Sequence, residues 1–225
     1  MEYSEVLRKL KALSNPKAVA GMARFGIKTV NAYGLSLPTL RAMAKQTGRD
    51  HELALQLWPS GIHEVRILAS MIDDPKKVTE EQLESWVKDF DSWDICDNCC
   101  GNLFDKTKFA YRKAIDWSRR PDEFVKRAGF ALMAYLAMHD KLAPNSTLER
   151  FLPIIKREAV DDRNFVKKAV NWALRQIGKR NHKLNRKAVV MARKIGKIDS
   201  RSARWIASDA LKELTSQAVR KRLRA

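Results

Sequence analysis

A chain of 225 residues, 45% of them hydrophobic, is long enough to bury one substantial core or to build an elongated array of short units, and too apolar to be disordered. Its net charge of +18 points to a polyanionic partner, and no apolar run reaches the roughly 18 residues of a membrane span. The charge is uneven: residues 151–225 hold 21 Lys+Arg and 6 Asp+Glu, a net of +15, against +3 for the first 150 residues. A basic, solvated helical surface is the alternative reading of that skew. An anionic membrane fits less well, because no basic helix with an aromatic apolar face stands out. Three cysteines, Cys96, Cys99 and Cys100, lie within five residues. An odd, clustered set is a poor disulfide framework and suits a reducing cytosol. The N-terminus, Met1 to Glu5, is polar and acidic with no apolar signal core, so a cytoplasmic protein is expected.

In chain order, apolar residues recur at helical spacing almost throughout, and period-2 alternation is nearly absent. Met1–Leu13 reads as a helix stopped by Asn15-Pro16, and Lys17–Phe25 as a second closed by Gly26. Ser36 is a plausible N-cap for Pro38–Thr47, with Pro38 in its first turn. Asp50–Trp58 and Ile62–Met71 are separated by Pro59-Ser-Gly61. Thr79 opens a helix to Phe90 with Glu81-Gln82 in capping-box positions. A helix from Ser92 follows, then Lys106–Ser118, Pro121–His139, Thr147–Ala159, Asp162–Gly178, Asn185–Ile195 and Ser200–Leu211, with a short basic tail. About a dozen helices with short connections imply an all-α chain, expected as a single domain over 1–225.

The helices repeat. Phe124-Val-Lys-Arg-Ala-Gly-Phe-Ala-Leu-Met matches Phe165-Val-Lys-Lys-Ala-Val-Asn-Trp-Ala-Leu, 41 residues later. His63-Glu-Val-Arg66 and Ser202-Ala-Arg204-Trp begin fainter copies. A two-helix unit of about 40 residues is the period of HEAT-like arrays, which stack into a solenoid. In this register Arg66, Arg127, Lys168 and Arg204 are equivalent, and equivalent positions line one surface. Such a stripe suits a phosphate backbone, whose counterions Lys and Arg displace. A basic residue snorkelling beside an apolar stripe is the plainer reading.

Chemistry enters at Phe90–Asp97. Ser92 looks like an N-cap whose hydroxyl accepts a first-turn N–H, and acidic Asp94 suits the positive end of the helix. Trp93 and Asp97, four apart, then share one helix face. Trp172 lies one turn beyond Lys168. Trp93, Asp97, Arg127 and Trp172 together suit N-glycosidic hydrolysis. The transition state is oxocarbenium-like, so a carboxylate near C1′ stabilises it and orients water. Indoles favour a cationic sugar, and an arginine grips a phosphate. A base alkylated at N3 or N7 is already cationic and leaves neutral, so no general acid is required. Spacing alone does not separate this from core and rim packing.

The residues Gly21 to Phe25, Gly34 to Arg41, Ser92-Trp-Asp-Ile-Cys-Asp97, Phe124 to Arg127 and above all Phe165 to Arg175 resemble the AlkD-like, HEAT-repeat family of bacterial DNA alkylation-repair proteins over nearly the whole chain. The resemblance implies a right-handed superhelix with a basic concave face for duplex DNA. It also implies a monofunctional glycosylase for 3-alkyladenine and 7-alkylguanine that does not flip the base. Carried over residue by residue, it makes Asp97 catalytic, sets Trp93 and Trp172 against the lesion nucleoside, and gives the backbone to Arg127. Lys168, Arg204, Arg66 and Lys167, with Phe165, are the further DNA contacts expected. Some members have a second Trp before the Trp93 position, where this chain has Ser92. No metal or organic cofactor is expected, and a monomer is. A non-catalytic protein of the same scaffold, favouring distorted or branched DNA, is the alternative. The Cys96-x-x-Cys99 pair lacks a second pair to complete a zinc site. The four histidines are scattered, and Trp58, Trp86, Trp117 and Trp205 read as core.

Overall fold

The computed structural model describes residues 1–224 and is all-helical, with fifteen α-helices and two 3₁₀ turns among the described residues and no strand. No described helix is long and apolar enough to cross a membrane. The contacts group the chain into two compact units, Met1–Lys108 and Phe109–Ala225.

The first unit holds α1 (Tyr3–Ala12), α2 (Pro16–Ala23), α3 (Leu37–Thr47), α4 (His51–Leu57), α5 (His63–Ile72), α6 (Glu80–Lys88) and α7 (Trp93–Asn102). Its helix starts follow from the capping residues. The side chains of Asn15, Ser36, Asp50 and Thr79 accept the N–H of Ala18, Thr39, Leu53 and Gln82. The second half of the Thr79 capping box is not made: the Gln82 amide donates instead to the buried Asp73 carboxylate at 2.6 Å. Helix α5 is the centre of the unit and packs on α3, α4 and α7. Trp58 and Trp86 stack at 3.9 Å and 4°, with Phe90 and Phe104 completing an aromatic cluster.

One buried charge ties this unit together. The Glu64 carboxylate accepts N–H groups from Tyr33 (2.8 Å), Gly34 (2.6 Å) and Leu35 (3.1 Å), and the residue is 1% exposed. Gly34 has φ of +74°, and a Cβ there would stand 2.4 Å from the Asn15 carbonyl oxygen, so only glycine fits this turn.

The second unit holds α8 (Ala110–Trp117), α9 (Glu123–His139), α10 (Asn145–Glu149), α11 (Phe151–Glu158), α12 (Asn164–Gly178), α13 (His182–Ile195), α14 (Arg201–Leu214) and α15 (Gln217–Arg224). Helix α12 packs on α9, α13 and α14, and α9 on α8. Gly129 permits the last contact: a Cβ there would meet the Ser118 backbone nitrogen at 2.6 Å.

Three expectations change here. The helix expected over Thr147–Ala159 is two, α10 and α11, broken at Arg150. Pro153 is the cause: it has no N–H to give the Glu149 carbonyl, and its ring crowds that oxygen. The basic tail is not a simple extension but forms α15. The repeat register also moves. Val125, Ala128 and Leu132 of α9 align with Val166, Ala169 and Ala173 of α12, all buried. The buried set of α14, Ala203, Ile206, Ala207 and Ala210, aligns with Val166, Ala169, Val170 and Ala173 at an offset of 37 residues rather than 36. The position of Arg127 and Lys168 is therefore taken in α14 by Trp205, with Arg204 one place before it.

Candidate active site

Helix α7 carries the first group of candidates. Ser92 occupies its N-cap position, with φ of −144° and ψ of 147°, but its hydroxyl does not cap. It accepts from the Lys28 N–H at 3.1 Å and donates to Asp91 Oδ1 at 3.3 Å. The Lys28 N–H takes the acceptor expected for the helix. Asp94 serves the helix start in its place: Oδ1 accepts the Ile95 N–H at 3.0 Å. Its Oδ2 lies 2.8 Å from Nε2 of His63, which is 4% exposed.

Trp93 and Asp97 follow one turn apart on α7, each half-buried. The Trp93 indole N–H donates to the Phe25 carbonyl at 2.9 Å, which fixes the ring against the end of the α2 segment. Behind them Ile95, Cys96, Cys99 and Cys100 are fully or nearly fully buried and face the core. Burial pushes the Cys99 and Cys100 thiols well above their ordinary range. The helix is thus anchored by its apolar face and by the His63–Asp94 contact, while the Trp93–Asp97 face remains accessible.

His63 is a part of this anchoring that sequence reading passed over as one of four scattered histidines. Burial alone would lower its pKa, but the hydrogen bond that His63 donates to Asp94 and the charges of Asp94, Glu64 and Asp91 outweigh it and raise the pKa above the ordinary 6.5. A raised pKa means that the folded state holds the proton more tightly than the unfolded chain. The resulting stabilisation is complete below about pH 6.5 and is lost as pH rises through the folded value. Urea unfolding of wild type and of His63→Gln at pH 6 and pH 8 is expected to give a stability difference that shrinks at the higher pH. An equal difference at both pH values would remove the charged pair from the account.

The second unit places its candidates in two groups. Arg127 is 6% exposed and donates through Nη1 to the Phe165 carbonyl at 2.7 Å, so it joins α9 to the first turn of α12. Phe165 in turn packs against Phe124 with ring centroids 5.6 Å apart. Lys168 is exposed on the same helix. Trp172 is half-buried, held edge-on against Tyr135 at 5.1 Å and 82°. With the Gln176 amide oriented to present its oxygen, the Trp172 indole N–H donates to it at 2.9 Å. Lys167 sets its ammonium 5.5 Å from the centre of the Trp205 ring. Arg204 is exposed and pairs with Asp199 at 2.9 Å. In the first unit, Arg66 is braced over Trp58 at 5.3 Å and donates to the Asp89 carbonyl at 3.1 Å. The four cations of the expected stripe therefore divide: Arg66 and Arg127 are built into turns and helix contacts, and Lys168 and Arg204 stand at the surface.

Trp205 departs from the expectation of a core residue. It is 40% exposed, whereas Trp58, Trp86 and Trp117 are 1–4% exposed. The signal that sequence reading missed was its place directly after Arg204, in the register of two cationic residues. No group of three or more His, Cys, Asp or Glu that could hold a metal ion occurs among the described residues.

The sequence profile of the DNA alkylation repair enzyme family matches residues 6–214, nearly the whole chain. The chain belongs to the DNA alkylation repair enzyme family. Its similarity to individual relatives is lower. The uncharacterized protein Lin0241 of Listeria innocua is 24% identical over 200 residues, 87% of each chain. Lmo0209 of Listeria monocytogenes is 23% identical over the same share. A solved structure from a protein family related to the HEAT-like repeat DNA glycosylases, with affinity for branched DNA structures, superposes with a TM-score of 0.81. That match covers 99% of this chain and 96% of the other at 21% identity, and it establishes the HEAT-like fold of this DNA alkylation repair family member.

Proposed function

We propose that this member of the DNA alkylation repair family is a monofunctional DNA glycosylase that removes cationic 3-alkyladenine and 7-alkylguanine from duplex DNA. The observation that carries the reading is the accessible face of α7, where the Trp93 indole and the Asp97 carboxylate stand one turn apart on a helix fixed from behind. As the C1′–N bond breaks, its electron pair goes to the cationic base, which departs neutral, and positive charge develops on the sugar. Asp97 stabilises that charge and orients the water whose oxygen bonds to C1′. The proton lost from the water passes to the carboxylate or to solvent. Trp93 and Trp172 would contact the lesion sugar, and Arg127 the phosphate beside it. Lys167, Lys168, Arg204 and Arg66 with Phe165 would extend the backbone contacts, with no base flipped into a pocket. The test is incubation of dimethyl-sulfate-treated duplex DNA with the protein and chromatography of released bases. Appearance of free 7-methylguanine or 3-methyladenine is expected, and release of neither overturns the assignment.

A second reading follows from the fold match: a non-catalytic DNA-binding protein that prefers branched DNA, as described for the family of the superposed structure. It predicts no base release, together with tight and steeply salt-dependent binding to a four-way junction.

A further inference from the structure

The Trp205 indole has no part in the proposed excision, yet it stands exposed among cations. Its neighbours on α14 are exposed arginines, Arg201 one turn before it and Arg204 beside it, and Lys167 of α12 approaches its ring at 5.5 Å. These residues border a cavity of about 410 Å³ lined by Asp162, Lys167, Arg201, Ser202 and Trp205. Ser202 is buried and donates its hydroxyl to the Asp161 carbonyl at 2.8 Å, so it forms the floor and holds the start of α14 in place. The repeat register sharpens the point. Where α9 carries the buried Arg127 and α12 the exposed Lys168, α14 carries an exposed indole at the equivalent position.

A cation at that position is suited to a phosphate. An indole is not: it has no charge to offer and exposes an apolar face to water. Tryptophan flanked by cations is instead the composition that receives an unpaired base, the ring stacking on the base and the cations meeting the phosphates on either side. Asp162 at the rim adds an acceptor suited to an exocyclic amino group of such a base. A continuous duplex keeps its base faces stacked inside and cannot offer one. We infer that Trp205, with Lys167, Arg201 and Arg204, is a stacking site for an unpaired nucleobase, which gives the protein a preference for DNA that carries a single-stranded interruption. The inference rests on the reading that this chain binds DNA, but not on Asp97 being catalytic.

The test is fluorescence anisotropy with three labelled probes of equal length: a continuous duplex, the same duplex with a three-nucleotide gap, and a single strand. Trp205→Ala is expected to weaken the gapped and single-stranded probes about tenfold while leaving the continuous duplex within about twofold. Trp205→Phe keeps a ring and is expected to restore most of the difference. A 2-aminopurine opposite the gap should be quenched by wild type and not by Trp205→Ala. Equal loss on all three probes, or no loss on the gapped one, overturns the stacking site. If wild type binds none of the probes, the DNA-binding reading fails, and this inference with it. Trp205 is exposed, and an unchanged thermal midpoint separates a lost contact from a lost fold.

Discussion

Asp97→Asn is expected to lower the single-turnover release of 7-methylguanine and 3-methyladenine at least about 100-fold, with binding to undamaged duplex unchanged or slightly tighter. The substitution keeps the size and shape of the side chain and removes its charge. In the proposed ground state that charge would face an already cationic base. In the transition state the cation moves onto the sugar, and a fixed carboxylate near C1′ is worth more there than in water. Loss of one such preorganised group typically costs about 3–4 kcal/mol of transition-state stabilisation. DNA binding moves the other way, because removal of a negative charge near the backbone cannot weaken its attraction to the many cations of residues 151–225. Asp97 is half-exposed, so the variant is expected to fold. Release at the wild-type rate would refute the role of Asp97 even if the protein proved to be a glycosylase.

The largest expected effect on stability lies elsewhere, at Glu64. Glu64→Ala removes the single acceptor of three backbone N–H groups, those of Tyr33, Gly34 and Leu35. Hydrogen bonds to a charged group contribute about 1.5–3 kcal/mol each. They are not additive when they share one partner and water can enter, so a loss of about 3–5 kcal/mol in all is expected. That is a large part of the stability of an ordinary domain, which is about 5–15 kcal/mol. Gly34 sits at φ of +74° with the Asn15 carbonyl against it, so no residue with a side chain can replace it in the turn that Glu64 holds. Urea unfolding measures the loss, and hydrogen exchange locates it: the three amides should exchange fastest in Glu64→Ala. Glu64→Gln should fall between, because its carbonyl still accepts while its NH₂ faces donors. An unchanged urea midpoint for the alanine variant would show that the carboxylate is not a clamp.

The helical class and most helix starts were legible because capping chemistry is local. Asn15, Ser36, Thr79 and Ser200 each accept the N–H three residues on, as their types and positions imply. The Trp93–Asp97 face was legible for the same reason, since a spacing of four is a local geometric fact. What was not legible involves partners distant in sequence. The Ser92 hydroxyl goes to Lys28, 64 residues away, and not to its own helix. Glu64 and His63 look like a polar start to a faint repeat until the loop at Tyr33 and the carboxylate of Asp94 are brought to them. The repeat register of α14 was misplaced because Arg204 is a better match by residue type than Trp205, and only the burial pattern shows which of the two occupies the equivalent position.

The buried cysteines of α7 carry a consequence of another kind. Agents that methylate DNA are electrophiles, and a thiolate is a better nucleophile toward many of them than a ring nitrogen of a base. Reaction needs both an ionised sulfur and access to it. Cys96, Cys99 and Cys100 are 0% exposed, and Cys99 and Cys100 are held protonated by burial. The three thiols of the folded protein are therefore withheld from the chemical that creates its proposed substrate.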